Sequence, residues 1–220
     1  MIELKAISKS YTTSHSVNPV LLDVNILLPE NSINTIYGNS GTGKTTLLNI
    51  IGLITAPNKG LLLLDNKKIN QNVSLSSYRL KYFGYVFQDH YLMPEFTVYE
   101  NMQLPQLISN NQKTNIEEKI NSLLDSFNLK HIKNKYPINI SIGEAQRVAI
   151  LRSIINHPKI VIADEPTSNL DDTNALNVIN LFKNLKENYN YTIIIATHDK
   201  RFLDISNNSH KLTDNKLVKL

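Results

Sequence analysis

The chain has 220 residues, no cysteine and 41% apolar content. That is enough for one sizeable core, and the absence of thiols excludes disulfides, thiolate metal sites and thiol catalysis. The net charge of +4 is spread along the sequence, and only four of the 23 basic residues are arginine, the better fork for base edges and phosphates. A nucleic-acid partner is therefore not expected. The longest basic cluster, Lys130 to Lys135, reads as a solvated face.

The first thirty residues alternate as strands do, with Ile2, Leu4 and Ala6 on one face, then Leu22, Val24 and Ile26 further on. Ser32 to Tyr37 reads as a short strand entering a glycine loop, and Thr46 to Ile51 as the helix that leaves it. Further strands are expected at Leu61–Leu64, Phe83–Gln88, Lys159–Asp164 and Thr192–Thr197. The last two contain the runs I-V-I-A and I-I-I-A, as strands buried on both faces do. Between about Asp89 and Asn156 the period becomes helical, through Ile116, Ile120, Leu123, Leu124 and Phe127, then Val148, Leu151 and Ile155. Ser109 to Thr114 reads as an exposed loop. No apolar run exceeds four residues, so no membrane span is expected, and Met1 to Lys5 lacks the features of a secretory signal. These features predict a cytosolic protein, able to dock on a membrane partner.

The loop itself is Gly38-Asn39-Ser40-Gly41-Thr42-Gly43-Lys44-Thr45, which fits the phosphate-binding pattern G-x-x-x-x-G-K-[ST]. Glycines let backbone N–H groups approach phosphate oxygens. Lys44 would reach the terminal phosphates and the Thr45 hydroxyl would ligate Mg²⁺. A random chain of this length would match roughly once in a hundred tries, but the strand before and the helix after are what phosphate binding requires. Downstream, Asp164 and Glu165 end a buried strand. Asp164 would hold the Mg²⁺ shell through water, and Glu165 would act as general base on the attacking water. His198 follows the next buried strand, at the same expected sheet edge, within reach of a γ-phosphate. Ser141-Ile142-Gly143-Glu144 opens a helix that runs to about Asn156. By itself this is a capping box with Ser141 as N-cap; alternatively, the same helix start is an anion site for a nucleotide held by a second copy of the protein.

In order along the chain, these motifs resemble the ATP-binding subunit of an ABC transporter. The set comprises the Gly38–Thr45 loop, Gln88 after Phe83-Gly84-Tyr85-Val86-Phe87, the signature Ile140–Gln146, Asp164-Glu165, Ser168-Asn169-Leu170-Asp171 and His198. The resemblance implies an α/β fold: a P-loop NTPase core with a mostly parallel sheet, an N-terminal antiparallel β part and an inserted helical subdomain. Residues 1–88 and 157–220 would form the core, and about 89–156 the helical part of a single domain. It also implies ATP and Mg²⁺. Tyr11 would stack on adenine, and Thr46 would join the loop in binding ATP. Ser141, Gly143 and Glu144 would contact ATP across a head-to-tail homodimer, and Asp171 would help join the two sites. Gln88 would link Mg²⁺ and attacking water to integral membrane subunits, beside Glu165 and His198 as catalytic residues. Two positions depart from the family pattern: Ile142 stands where a glycine is usual, and Glu144 where glutamine is. With Ser141 as N-cap, Ile142 becomes the first helical residue with an allowed φ, so the departure bears on steric room and hydrolysis rate.

Within the family, Leu92–Thr97, Glu100-Asn101 and Leu104-Pro105-Gln106 resemble the lipoprotein-releasing ATPases, and the loop motifs also fit their macrolide-export relatives. Phe87-Gln88-Asp89-His90, Thr97-Val98-Tyr99 and Asp171-Asp172 resemble the cell-division ATPases of the same branch. The resemblance thus favours lipoprotein release by a peripheral ATPase on the cytoplasmic side of the inner membrane. Export and division remain the alternatives.

Overall fold

A computed structural model describes residues 1–13, 16–69, 74–109 and 115–220. Among the described residues, two sheets and six α-helices stack around two apolar layers. The first sheet is antiparallel, in the order β2-β1-β4-β5, from β1 (Ile2–Thr12), β2 (Val17–Leu28), β4 (Lys59–Leu64) and β5 (Lys67–Lys68). The second runs β10-β9-β3-β8-β7-β6, from β3 (Ile33–Tyr37), β6 (Phe83–Val86), β7 (Ile160–Asp164), β8 (Thr192–Thr197), β9 (Asn208–Thr213) and β10 (Lys216–Lys219). It is parallel except for β10, which returns antiparallel to β9. The helices are α1 (Lys44–Ile51), α2 (Leu75–Tyr82), α3 (Val98–Ile108), α4 (Ile116–Ser126), α5 (Ile142–Ser153) and α6 (Asp172–Tyr189).

Alternation along the central strands assigns their side chains to two cores. Val161, Ala163, Ile193 and Ile195 point into a cluster with α3, α4, α5 and α6. Ile160, Ile162, Ile194 and Ala196 point the other way, against α1 and the antiparallel sheet. The sheet is thus buried on both faces, as its continuous apolar runs require. Helices α3, α4 and α5 lie between β6 and β7 in sequence and share the first of these cores. Among the described residues, no helix is long and apolar enough to cross a membrane.

Three expectations need correction. Ala6 is exposed with φ 52°, and Ile7 is buried in its place. Likewise Leu22 is exposed while Leu21 is buried, with Asp23 at φ 51° beside it. Bulges cause both changes: the β1–β2 register shifts between Leu4 and Ile7 and again before Lys9, so strict alternation fails there. Strand β6 ends at Val86, leaving Phe87 and Gln88 in the loop that follows. The loop expected at 109–114 falls outside the described residues except for Ser109, which caps α3.

Candidate nucleotide site

The strand register gathers the site. In the parallel sheet, Tyr37 is paired with Thr197 and Asp164 with Ala196. Gly38, Glu165 and His198, each one residue further on, therefore emerge side by side at the carboxyl edge, where open parallel sheets bind ligands. The loop then turns through Gly41 at φ 79° and Gly43 at φ 101° into α1. At Gly43 a side chain is excluded twice over, since a Cβ would also sit 2.6 Å from Val20 Cγ1.

Lys44 is 4% exposed, and its Nζ donates to the carbonyls of Gly38 at 2.8 Å and Asn39 at 2.9 Å. It also pairs with Glu165 Oε1 at 2.9 Å. Glu165 holds a left-handed backbone, φ 46°, which is uncommon for a residue other than glycine and is the kind of strain found at functional sites. Its Oε2 accepts from the His198 backbone at 3.2 Å and lies 2.8 Å from His198 Nδ1. An ionised carboxylate only accepts, so Nδ1 is the donor in that contact. Lysine, carboxylate and imidazole thus form one chain of contacts at the mouth of the loop.

Asp164 lies beside this chain. Burial pushes its carboxyl above the ordinary range and the Glu165 charge adds to that, while the Thr45 hydroxyl and Lys44 act in the opposite direction. Its Oδ1 is buried without a hydrogen-bond partner. An orphaned carboxylate oxygen next to a threonine hydroxyl is a hard, all-oxygen donor set that fits Mg²⁺. Among the described residues there is no group of three or more His, Asp or Glu that could hold a metal, so phosphate oxygens and water would have to complete the shell.

Tyr11 stands at the end of β1, 45% exposed, with its hydroxyl 3.5 Å from Thr46 Oγ1. The ring is beside the start of α1, with Lys9 Nζ 5.4 Å from its centroid. The structure therefore brings together Tyr11, the whole Gly38–Thr46 segment, Asp164, Glu165 and His198. It does not join Gln88 to them: Gln88 is exposed, and among the described residues no hydrogen bond links it to Thr45, Asp164 or Glu165.

A second group forms at the start of α5. Ser141 is its N-cap in a complete capping box with Glu144, and Ile142 is the first helical residue, 60% exposed, with no positive φ. Gly143 is buried against α6, where an added Cβ would lie 2.9 Å from Asn174 Cβ and overlap the Asn174 amide. Asn174 is itself held by Asp171, the N-cap of α6, through its backbone at 2.9 Å and its side chain at 2.6 Å. Ser141, Glu144 and Asp171 therefore lie around the buried Gly143, and among the described residues no hydrogen bond or ion pair ties this group to the Gly38–Thr46 loop.

Sequence reasoning missed Thr167, Asp199 and Arg201. Thr167 Oγ1 donates to Asp199 Oδ2 at 3.0 Å, which ties the loop after Glu165 to the loop after His198. Burial alone would raise the Asp199 carboxyl, but hydrogen bonds from Arg201 and Thr167 outweigh it and hold it below its ordinary range. The available signal was Asp199 capping the turn that follows His198.

Comparison with known proteins bears on this geometry. The sequence profile of the ABC transporter family matches residues 21–168. The chain belongs to that family. A lipoprotein-releasing system ATP-binding protein, LolD, of Treponema denticola is 36% identical over 96% of this chain and 95% of its own. The LolD of Bacteroides fragilis is 34% identical over 99% of this chain and all of its own. Among solved structures, the ATP-binding cassette MJ0796, a dimer in a post-hydrolysis state bound to ADP and Pi, superposes with a TM-score of 0.89 at 33% identity, covering 100% and 99% of the two chains. This ABC protein is an ATPase with the mixed α/β cassette fold.

Proposed function

We propose that this ABC ATPase drives the release of lipoproteins from the outer face of an inner membrane, acting as a homodimer bound peripherally to integral membrane subunits on the cytoplasmic side. The observation that carries the proposal is the end-to-end similarity to lipoprotein-releasing ATP-binding proteins, 36% over nearly the whole of both chains in one case. The cassette, 1–220, works as one domain in which about 89–156 forms an inserted helical subdomain.

The chemistry follows from the site. ATP phosphates enter the Gly38–Thr45 loop, meet its backbone donors and the positive end of α1, and take Lys44. Tyr11 stacks on the base, and Thr46 supports the loop. Once phosphate has taken Lys44, Glu165 Oε1 is free to accept a proton from water. The water oxygen attacks the γ-phosphorus as the bond to the β-phosphate oxygen breaks, and ADP leaves with that electron pair. Thr45 and Asp164, with Gln88 reaching in from its loop, would hold Mg²⁺. When bound, the ion neutralises phosphate charge. His198 orients Glu165 and offers Nε2 toward the γ-phosphate. The second copy contributes Ser141 and Gly143 to each site, with Glu144 beside them holding the Ser141 hydroxyl, and Asp171 joins the two. Gln88 and the loop to Thr97 carry the change in nucleotide state to the membrane subunits.

Depletion of the protein followed by membrane fractionation tests the proposal. Lipoproteins should accumulate in the inner membrane. Filamentous cells with normal lipoprotein sorting would refute release and point to a division role.

A further inference from the structure

A hydroxyl has two acceptor positions but a single proton. Ser141 uses both kinds of bond within its own chain. Its Oγ accepts from Glu144 N at 3.2 Å and donates to Glu144 Oε2 at 2.9 Å, and the Ser141 backbone N–H donates to the same oxygen at 2.8 Å. The other carboxylate oxygen, Oε1, lies 3.0 Å from His131 Nε2. The inference rests on the reading that Ser141 meets a γ-phosphate held by a second copy. A phosphate oxygen accepts, so Ser141 can serve it only by withdrawing its proton from Glu144. The carboxylate competes for that proton, and it is also a fixed negative charge beside the place where another anion must arrive.

We propose that Glu144 and His131 are positioning residues for the nucleotide-bridged dimer: Glu144 keeps the Ser141 hydroxyl turned away from the incoming phosphate, and protonated His131 releases it by neutralising the carboxylate. Other charges nearby do not take this role. Arg147, one turn along α5, acts on Glu144 through space, but its charge is constant with pH and its Nε donates to the Gly143 carbonyl at 3.4 Å. In the turn that carries His131, Lys130 faces Asp125 at 3.6 Å and Lys133 faces Glu117 at 3.1 Å. Asp171, across at α6, is engaged with Asn174. Among the described residues His131 is the one cation-forming side chain within hydrogen-bond reach of Glu144. An imidazole changes charge between pH 5 and 8, so the ability of Ser141 to engage phosphate becomes a function of pH.

The test uses the full chain with Glu165→Gln, which halts hydrolysis, and measures ATP-Mg²⁺-dependent dimer affinity by analytical ultracentrifugation at pH 6 and pH 8. The same measurement is made with His131→Ala or Glu144→Gln added. His131 is 60% exposed, and glutamine preserves a capping box, so both variants should fold. The parent's pH 6 to pH 8 affinity ratio should exceed that of His131→Ala by about tenfold: about threefold per site for a half-exposed ion pair, taken over the two sites of a symmetric dimer. Glu144→Gln should lose the same pH dependence and dimerise more tightly than the parent at pH 8. Contributions from the nucleotide and from other imidazoles are common to all three chains. Equal ratios in the three, or a Glu144→Gln chain no tighter than its parent at pH 8, would overturn the inference and leave the dimer reading standing. No ATP-dependent dimer in any of them would overturn both.

Discussion

Replacing Glu165 with glutamine probes the contact on which the site turns. The carboxylate pairs at 2.9 Å with an ammonium that is 4% exposed, and is itself 13% exposed. Deleting one partner of such a pair costs about 3–5 kcal/mol. Glutamine keeps an acceptor oxygen, and Lys44 keeps the carbonyls of Gly38 and Asn39. Only the charge-assisted part is lost, so the expected destabilisation is about 1.5 kcal/mol. For a chain of this length that is a fall in Tm of about 3–6 °C without nucleotide. ATP supplies Lys44 with a new anion, so saturating ATP should close or reverse the gap. Thermal unfolding in EDTA with and without ATP separates these terms from turnover, and kcat measured with Mg²⁺ should fall about 10²–10⁴-fold. An unchanged Tm without nucleotide, or the same gap with ATP, would refute the argument that Glu165 and phosphate exchange places on Lys44. Near-normal hydrolysis would refute its role as base.

Lys44→Ala should abolish ATP binding in a filter or fluorescence assay, because it removes the ammonium that the Gly38 and Asn39 carbonyls hold inside the loop. Asp164→Asn should raise Tm without nucleotide while ATPase activity falls. Burial lifts that carboxyl above its unfolded value, so the ionised form weakens the fold at neutral pH, and stability returns as pH falls through the folded value. Asp199 has the opposite sign: held below the ordinary 3.8, it contributes stability at neutral pH that is lost as pH falls through its lower folded value, so Asp199→Asn should melt below its parent at pH 7, by a gap that closes as the pH is taken below 3.8. Ile142→Gly should increase ATP-driven dimer formation or ATPase rate with the membrane partner present. No change in either would show that the site tolerates the side chain.

The phosphate loop, the Asp164-Glu165 strand end and His198 were legible because each couples a buried apolar run to a polar terminus, and strand register then does the assembling. The bulge at Ala6 was not legible, since alanine gives no sign of a left-handed backbone, and Asp23 alone inside an apolar alternation was too weak a sign. The hairpin of β9 and β10 was missed although Asp214 and Asn215 form its turn, both at positive φ. Helix α6 was missed although Ala175, Val178, Ile179, Phe182 and Leu185 are spaced for one buried face. The contact between Gly143 and Asn174 joins residues that no local pattern relates. It depends on how two helices cross, which is a property of packing.

Strand β8 lies between β3 and β7 with every residue from Thr192 to Thr197 buried. Its amides should be among the last in the molecule to exchange with deuterium, because releasing them requires global opening. His198, attached directly to that strand, has a side chain 57% exposed. The imidazole proposed to meet the nucleotide is thus open to solvent and steadied by Glu165 at 2.8 Å, and it is mounted on the part of the protein that yields last. Its pivot should therefore hold its place through repeated cycles of loading and discharge, while the surrounding loops rearrange.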